Sequence, residues 1–317
     1  MNTKLARIAL AAAIAALAAG CGPSETAVPG AAPVAAIAAP STPDGAVSAS
    51  VAALRANNVG ALLNNALPAG ELAKLKADWN KDINKDPVTE DDRKQFADTM
   101  TKLTAPDAEA KMYAEIEPQL KDFDTKTAQQ MPMMIAMGQG FAQSAIQQSK
   151  DLNDSQKQQA QAMVDATAKW AQTAKFTDPA LVKSAIGAIC KTARDLNLKS
   201  IDEARALSYD QAMQKAGGVL GGVKQVFAVY GLNIDKTLDS IKVETATTAG
   251  DTAKVKISYT AFDQPFSTES DLVRVDGKWY GKQAIEQWSK HQQEEAAKAA
   301  NPAAPAIAAD KQAENKG

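Results

Sequence analysis

Three sets of side chains in this sequence are spaced so that they could do chemistry. Asp78, Asn80, Asp82, Asn84 and Asp86 place oxygen donors at alternate positions, as the first half of a calcium loop does, and oxygen donors suit a hard cation. Met131, Met133, Met134 and Met137 cluster ahead of Gly138 and Phe141. Their thioethers are soft ligands suited to Cu(I), and their flexible chains also suit irregular cores and adaptable binding surfaces. Glu269 and Asp271 share strand parity with Val273 and Val275. That parity aims both carboxylates at the mouth of a sheet-lined cavity, where acid–base work needs their pKa values pushed apart.

Each set also has a plainer reading. Ile83 stands where a calcium loop needs glycine, Thr89 stands where a bidentate Glu should close the shell, and Lys81 and Lys85 cut the local negative charge. The stretch then reads as a polar helix end with a solvated loop. The methionines fall on a strongly apolar helix start with Ile135, so they read first as core, next as a deformable surface, and last as a copper site. Carboxylates near strand ends are commonly solvated. Gly217-Gly218-Val219-Leu220-Gly221-Gly222 lacks the spacing of a phosphate loop; its glycines lie four apart on one helix face, which lets another backbone approach.

The usual catalytic equipment is thin. His291 sits in the polar run Lys290-His291-Gln292-Gln293-Glu294 and reads as a solvated residue, so nothing holds an imidazole against a nucleophile or supplies a zinc set. Cys190 follows Ala185, Ile186, Ala188 and Ile189 and reads as a buried, inert thiol. We therefore expect no catalytic residue, no cofactor and no metal. The expected binding surface comprises Met133, Met134, Met137, Glu269 and Asp271.

The elements that position these groups follow from composition and periodicity. The 317 residues are 45% hydrophobic but only 5% aromatic, so a core of small and aliphatic side chains, closely packed between helices, is expected. No basic block is present and the charges are mixed, which argues against nucleic acid. Lys4 and Arg7 precede an uncharged apolar run from Ile8 to Ala19, the pattern of a secretory signal. At about 12 residues the run is well short of the ~20 that span a bilayer. Without residues 1–20 the chain holds 33 basic and 37 acidic residues, a formal −4.

The run Ala15-Ala16-Leu17-Ala18-Ala19-Gly20-Cys21, followed by Gly22-Pro23, resembles the processing site of bacterial lipoproteins. The resemblance implies that Cys21 becomes the acylated first residue of the mature chain, and Gly22 after it favours the outer membrane. The family usually has Leu where this chain has Ala18, and Ala16-Leu17-Ala18 also fits ordinary secretion. Two or three acyl chains anchor a protein stably, whereas one binds only reversibly.

Residues 21–44 form an Ala/Pro-rich tether, which at about 3.1 Å per residue can hold a domain several nanometres off the membrane. A helical domain is predicted over 45–200, a small α+β domain over 201–298, and a disordered tail over 299–317. Helices are predicted from Ser48 to Asn65 with a break at Asn57-Asn58, around Leu72–Trp79, from Thr89 to Leu103, from Asp107, and from Thr127 to Lys150. Further helices start at an Asp154 or Ser155 cap, at Asp178-Pro179, and at Ser200-x-x-Glu203, the last leading to helices 202–216 and 217–230. Alternation then predicts strands around 241–245, 253–261, 266–275 and 278–282, with turns at Gly250-Asp251 and Asp276-Gly277, and a closing helix over 284–298. The fold class is α+β: a mainly helical body with a small C-terminal antiparallel sheet of three to four strands and a terminal helix.

The segments Ala52–Leu63 and Leu272–Tyr280 resemble small lipoprotein domains of the nuclear-transport-factor and cystatin-like type, which pack helices on a curved antiparallel sheet. That resemblance implies a fold for about residues 200–285 and transfers no catalytic residue. The expected function is non-catalytic binding of a protein partner or small apolar ligand by a lipoprotein held to the bilayer through acylated Cys21 and facing the periplasm. The rival readings are a carboxylate-based hydrolase of cell-envelope glycan and an inhibitor protecting the envelope.

Overall fold

The computed structural model describes residues 41–150 and 152–300. The signal run, Cys21, residues 22–40 of the tether and residues 301–317 of the tail lie outside them. Twelve helices and four strands follow one another among the described residues. The predicted α+β architecture is what forms: a helical body, one antiparallel sheet near the C-terminus and a helix after it.

The first helices form where side chains can satisfy their free amide ends. The Thr42 hydroxyl accepts from the Gly45 amide and Pro43 occupies the first turn, so α1 runs Pro43–Arg55, beginning earlier than the apolar pattern suggests. The break at Asn57-Asn58 is real. Asn57 takes a left-handed backbone (φ 55°), and Asn58 caps α2 (Val59–Ala66). Then come α3 (Ala69–Ile83) and α4 (Glu90–Thr104), the latter opened by the predicted Thr89–Asp92 capping box. Next is α5 (Ala108–Lys126), and after a 3-10 turn (Ala128–Gln130) α6 (Met131–Gln148).

In α7 (Asp154–Thr173) the cap is Asn153, which forms a box with Gln156, and not Asp154 or Ser155. Asp178 and Pro179 open α8 (Pro179–Leu196) as expected. The Ser200 cap starts only the short α9 (Ile201–Arg205). A second cap, the box of Ser208 with Gln211, starts α10 (Tyr209–Val229), which continues unbroken through all four glycines. The predicted pair of helices at 202–216 and 217–230 is therefore divided at the wrong place. Two caps close in sequence make the break, because each offers hydrogen bonds that an uninterrupted helix would not use.

The short α11 (Ile234–Asp239) leads into the sheet: β1 (Lys242–Ala249), β2 (Thr252–Ala261), β3 (Gln264–Val275) and β4 (Lys278–Gly281), in spatial order β1-β2-β3-β4 with every pair antiparallel. Asp276 and Gly277 both have positive φ, the geometry of a tight two-residue hairpin. Phe262 and Asp263 do the same between β2 and β3, and a phenylalanine there carried no turn signal. α12 (Lys282–Ala300) closes the described chain and takes in the first two residues of the expected tail.

The largest core joins opposite ends of the sequence. Val47, Val51 and Leu54 of α1 pack with Leu238, Ile241, Ala253, Val255, Ile257, Leu272 and Trp279. The indole N–H of Trp279 also donates to the Ser41 carbonyl (3.2 Å). The first helix is thus part of the C-terminal sheet's core, and the expected boundary near residue 200 does not separate two independent cores. A second core lies under α8, where Val182, Ile186 and Cys190 meet Ala108. A third, small one joins α7 to the sheet through Ala166, Ala261 and Phe266.

Candidate functional site

Thr127 to Ser149 contains no Asp, Glu, Lys or Arg, in a protein that is 23% charged. α6 fills most of that stretch, and its two faces differ. Met131, Ile135, Gln139, Ala142, Gln143 and Ile146 recur at helical spacing, are half-buried, and belong to the side from which α6 packs on α7. Two polar ties fix the pairing, because the Gln139 and Gln143 amides both donate to Oδ1 of Asp165 (2.7 and 2.8 Å). Lys157 adds a third by donating to the Gln147 carbonyl (3.0 Å).

α7 is in turn anchored to the body. Its Trp170 indole donates to the Tyr230 carbonyl (2.8 Å) and meets Phe176 edge-on, while Ala166 is buried with Phe266. The α6–α7 hairpin is therefore held from the α7 side, and α6 forms the outer layer.

The outward face of α6 is apolar up to Phe141 and ends in a polar pair, where the Gln148 amide donates to the Ser144 hydroxyl (2.8 Å). Met133 is 65% exposed, Met134 49%, Met137 56% and Phe141 72%. Expecting these methionines mainly in the core is corrected here. The core-facing positions go to Met131, Ile135 and Ile146, and the remaining methionines follow from helical spacing to the other side. Met131 is half-buried while Met133, Met134 and Met137 are exposed, so the four thioethers are not enclosed together as a soft-metal site. Gly138 and Gly140 have open space where a Cβ would be.

Glu269 and Asp271, the other half of the expected surface, do not line a cavity mouth. On β3 the buried residues are Phe266 and Leu272, which share parity with each other and not with the carboxylates. Glu269 and Asp271 are exposed on the opposite face, at cross-strand positions to Lys256 and Lys254. The Lys254 ammonium lies 3.1 Å from Glu269 and 3.6 Å from Asp271, and its pKa is raised chiefly by the hydrogen bond to Glu269. One lysine is shared between both acids on an exposed sheet face, and no apolar wall surrounds either of them.

Asp78 to Ile83 lie within α3 and do not form a loop. Of the later oxygens, the Asn84 side chain already accepts from Arg205 (2.9 Å), which also donates to the Asp86 backbone carbonyl (2.8 Å). Among the described residues no group of three or more His, Cys, Asp or Glu is placed to hold a metal ion. Cys190 is fully buried, its Sγ lies 3.6 Å from the Met112 sulfur, and burial raises its pKa, with a smaller push from Glu109. His291 falls in α12.

The glycine face of α10 does what its spacing suggests. Gly217 and Gly221 admit the Asn57 backbone and side chain, and Gly222 admits the Thr192 side chain of α8. A groove of about 570 Å³ runs beside this contact, edged by Asn57, Asn58, Lys191, Asp195, Asp210 and Gln214. Lys191 and Asp195 pair with each other at 2.5 Å.

A charge cluster built around one buried ammonium, which sequence reasoning missed, lies on the far side of Asn57 and Gly221. Lys224, 4% exposed, donates to the Leu54 carbonyl (2.6 Å) and to Asp235 (2.8 Å). Arg55 pairs with Asp239 (2.7 Å) and Asp235 (3.3 Å). Nothing local in sequence links Arg55 to Asp239, so no spacing signal existed. The cluster ties α1, α10 and α11 together and carries no nucleophile. The signal for α6 was available: a charge-free run bracketed by Lys126 and Lys150.

No helix among the described residues is long and apolar enough to cross a membrane. No known protein family, curated protein or solved structure matches this chain.

Proposed function

We propose that this protein is an outer-membrane lipoprotein, anchored through acylated Cys21 and facing the periplasm, that binds a protein partner through the exposed face of α6 and catalyses no reaction. The observation that carries this reading is the α6 surface itself. Interface cores are depleted of charge and enriched in methionine and aromatic residues, and the outward face of α6 has that composition. A large exposed apolar patch on a soluble body marks an interaction surface, and methionine adapts to a partner's shape.

Two further points support a protein partner over the alternatives, and a third supports the anchor. The groove beside α10 has amide and charged edges, which suit a small apolar ligand poorly. The carboxylates on which a glycan hydrolase would rest share one lysine on an exposed sheet face. The short signal run ending at Cys21 supports the lipid anchor.

The test uses the full chain in the cell envelope with a photoreactive amino acid replacing Phe141, and the same amino acid replacing Lys121 as control. A discrete protein adduct at position 141 and none at 121 is the expected result. Equal labelling at both positions, or none at either, rejects α6 as the binding face. Mass spectrometry of the envelope-extracted chain should find a lipid-modified residue at Cys21; a water-soluble chain with free Cys21 rejects the anchor.

A further inference from the structure

We infer that Met133, Met134 and Met137 form a reversible oxidation site: a peroxide converts them to sulfoxides before it reaches any other sulfur of the described residues, and the polar face so made no longer binds the α6 partner. The second step rests on the reading of α6 as a binding face; the first does not. The sulfur atoms of the chain are very unequally placed. Among the described residues Met100 and Cys190 are buried, and Met112, Met131, Met163 and Met213 are half-buried. An exposed thiolate would be the first target of a peroxide, but burial keeps the Cys190 thiol protonated and its Sγ lies 3.6 Å from the Met112 sulfur. The exposed thioethers of the described residues are all on α6. Helical geometry puts the three within about 100° of arc, on the face that also presents Phe141. Gly138 and Gly140 leave open space beside them, which admits a small oxidant and afterwards a reductase.

The chemistry is oxygen transfer. The thioether sulfur attacks one oxygen of hydrogen peroxide, an S–O bond forms as the O–O bond breaks, and the second oxygen leaves with both protons as water. Sulfur gives up two electrons and the peroxide takes them. Methionine sulfoxide reductases, one for each epimer, reverse the step: two thiols become a disulfide and the oxygen leaves as water.

Oxidation changes this face without loosening the helix. The bonds that hold α6 come from elsewhere on it, where Gln139 and Gln143 donate to Asp165 and the Gln147 carbonyl accepts from Lys157. The new sulfoxide oxygens stand in water and need no room in a core. Under a partner each becomes a polar group taken out of water, in a stretch that has no cation of its own to pair with it. A bound partner also shields the sulfurs, so oxidation marks the face when it is free and keeps it free.

The test treats the full chain with hydrogen peroxide, stops the reaction with catalase and locates oxygen uptake by peptide fragmentation. Met133, Met134 and Met137 should each take up one oxygen before Met131, Met163 or Met213 reacts, with circular dichroism and the melting temperature unchanged. Uptake spread evenly over the methionines, or led by Met131 or Cys190, rejects the site, and so does loss of the fold once the three are oxidised. In isolated envelope, peroxide should lower the photo-adduct at position 141 about tenfold or more, and the two reductases with dithiothreitol should restore it. An M133L/M134L/M137L chain should give the same adduct yield before and after peroxide, whatever its starting level. Loss of that adduct too places the effect in the partner and overturns the switch. A wild-type adduct that survives complete oxidation also overturns the switch and leaves the binding face standing. No adduct before peroxide rejects the binding face and the switch with it, while the order of oxygen uptake still decides the site.

Discussion

The backbone carbonyl of Asn57 occupies the space that a side chain at Gly217 would need. The contact exists because Asn57 takes a left-handed backbone between α1 and α2, and because α10 has no Cβ at that point. Gly217→Ala should therefore force backbone apart and destabilise the fold by about 1–3 kcal/mol. Gly218→Ala, one residue on, meets nothing and should stabilise by about 0.5–1 kcal/mol through helix propensity. Chemical denaturation of the two variants side by side checks both signs, and equal effects would refute the close approach.

Lys224 presents a different dependence. Its ammonium is buried, and its partners are the Leu54 carbonyl and Asp235, the latter about one-third exposed. Lys224→Met keeps most of the side chain's length but leaves the Leu54 carbonyl without this donor and Asp235 with Arg55 (3.3 Å) in place of two cations. Breaking a buried pair from one side costs about 3–5 kcal/mol, and the partial exposure of Asp235 places the expected loss near the lower end. The double variant K224M/D235N should recover part of that loss, since the remaining acid keeps Arg55. With D235N measured alone as well, a double-variant loss equal to the sum of the two single losses would show that the groups are uncoupled.

The local signals in the sequence were readable because they are chemical: Thr89 with Asp92, Asp178 with Pro179, and Asp276 with Gly277 each satisfy or shape the backbone within a few residues. The partnership of Val51 with Val255 in one core has no such local trace. Parity with Val273 and Val275 assigned Glu269 and Asp271 to the wrong face for a specific reason. Val273 pairs with Tyr280, on the face opposite Leu272 and Trp279, and α12 packs against β3 and β4. Two apolar residues at the end of β3 therefore belong to a second small contact and do not mark the main core. In α6 apolar residues occur on both faces, so composition alone could not tell Ile135 inward from Met137 outward. The absence of charge was the usable clue.

Acid should probe the joint between α5 and α8. Arg194 grips Glu109 with two nitrogens (2.6 and 2.9 Å) and also donates to the Ala105 carbonyl at the end of α4. The guanidinium holds the Glu109 carboxyl at about 2, against an ordinary 4.5. A carboxyl depressed in the folded state contributes stability that is complete above its unfolded pKa and disappears as pH falls through its folded one. Glu109→Gln should thus lower the melting temperature at pH 7. The gap to wild type should start to close below about pH 4.5 and be nearly gone by pH 2. A gap that stays constant across that window would show that the ion pair does not contribute.

The exposed sheet carboxylates decide between binding and hydrolysis. Glu269 and Asp271 share Lys254 on an open face, and exposed ion pairs of this kind contribute about 0.2–1 kcal/mol. Glu269→Gln and Asp271→Asn should each leave the melting temperature within a few degrees of wild type, because Lys254 keeps its other partner. Neither should change the α6 cross-linking pattern or any envelope phenotype of a strain lacking the protein. A hydrolase working with these two acids would behave otherwise. Removing the proton donor or the base leaves a folded chain with no activity, and either carboxamide would reproduce the deletion phenotype at normal expression. That outcome would move the functional centre from α6 to the sheet and make release of soluble glycan fragments from isolated cell wall the next measurement.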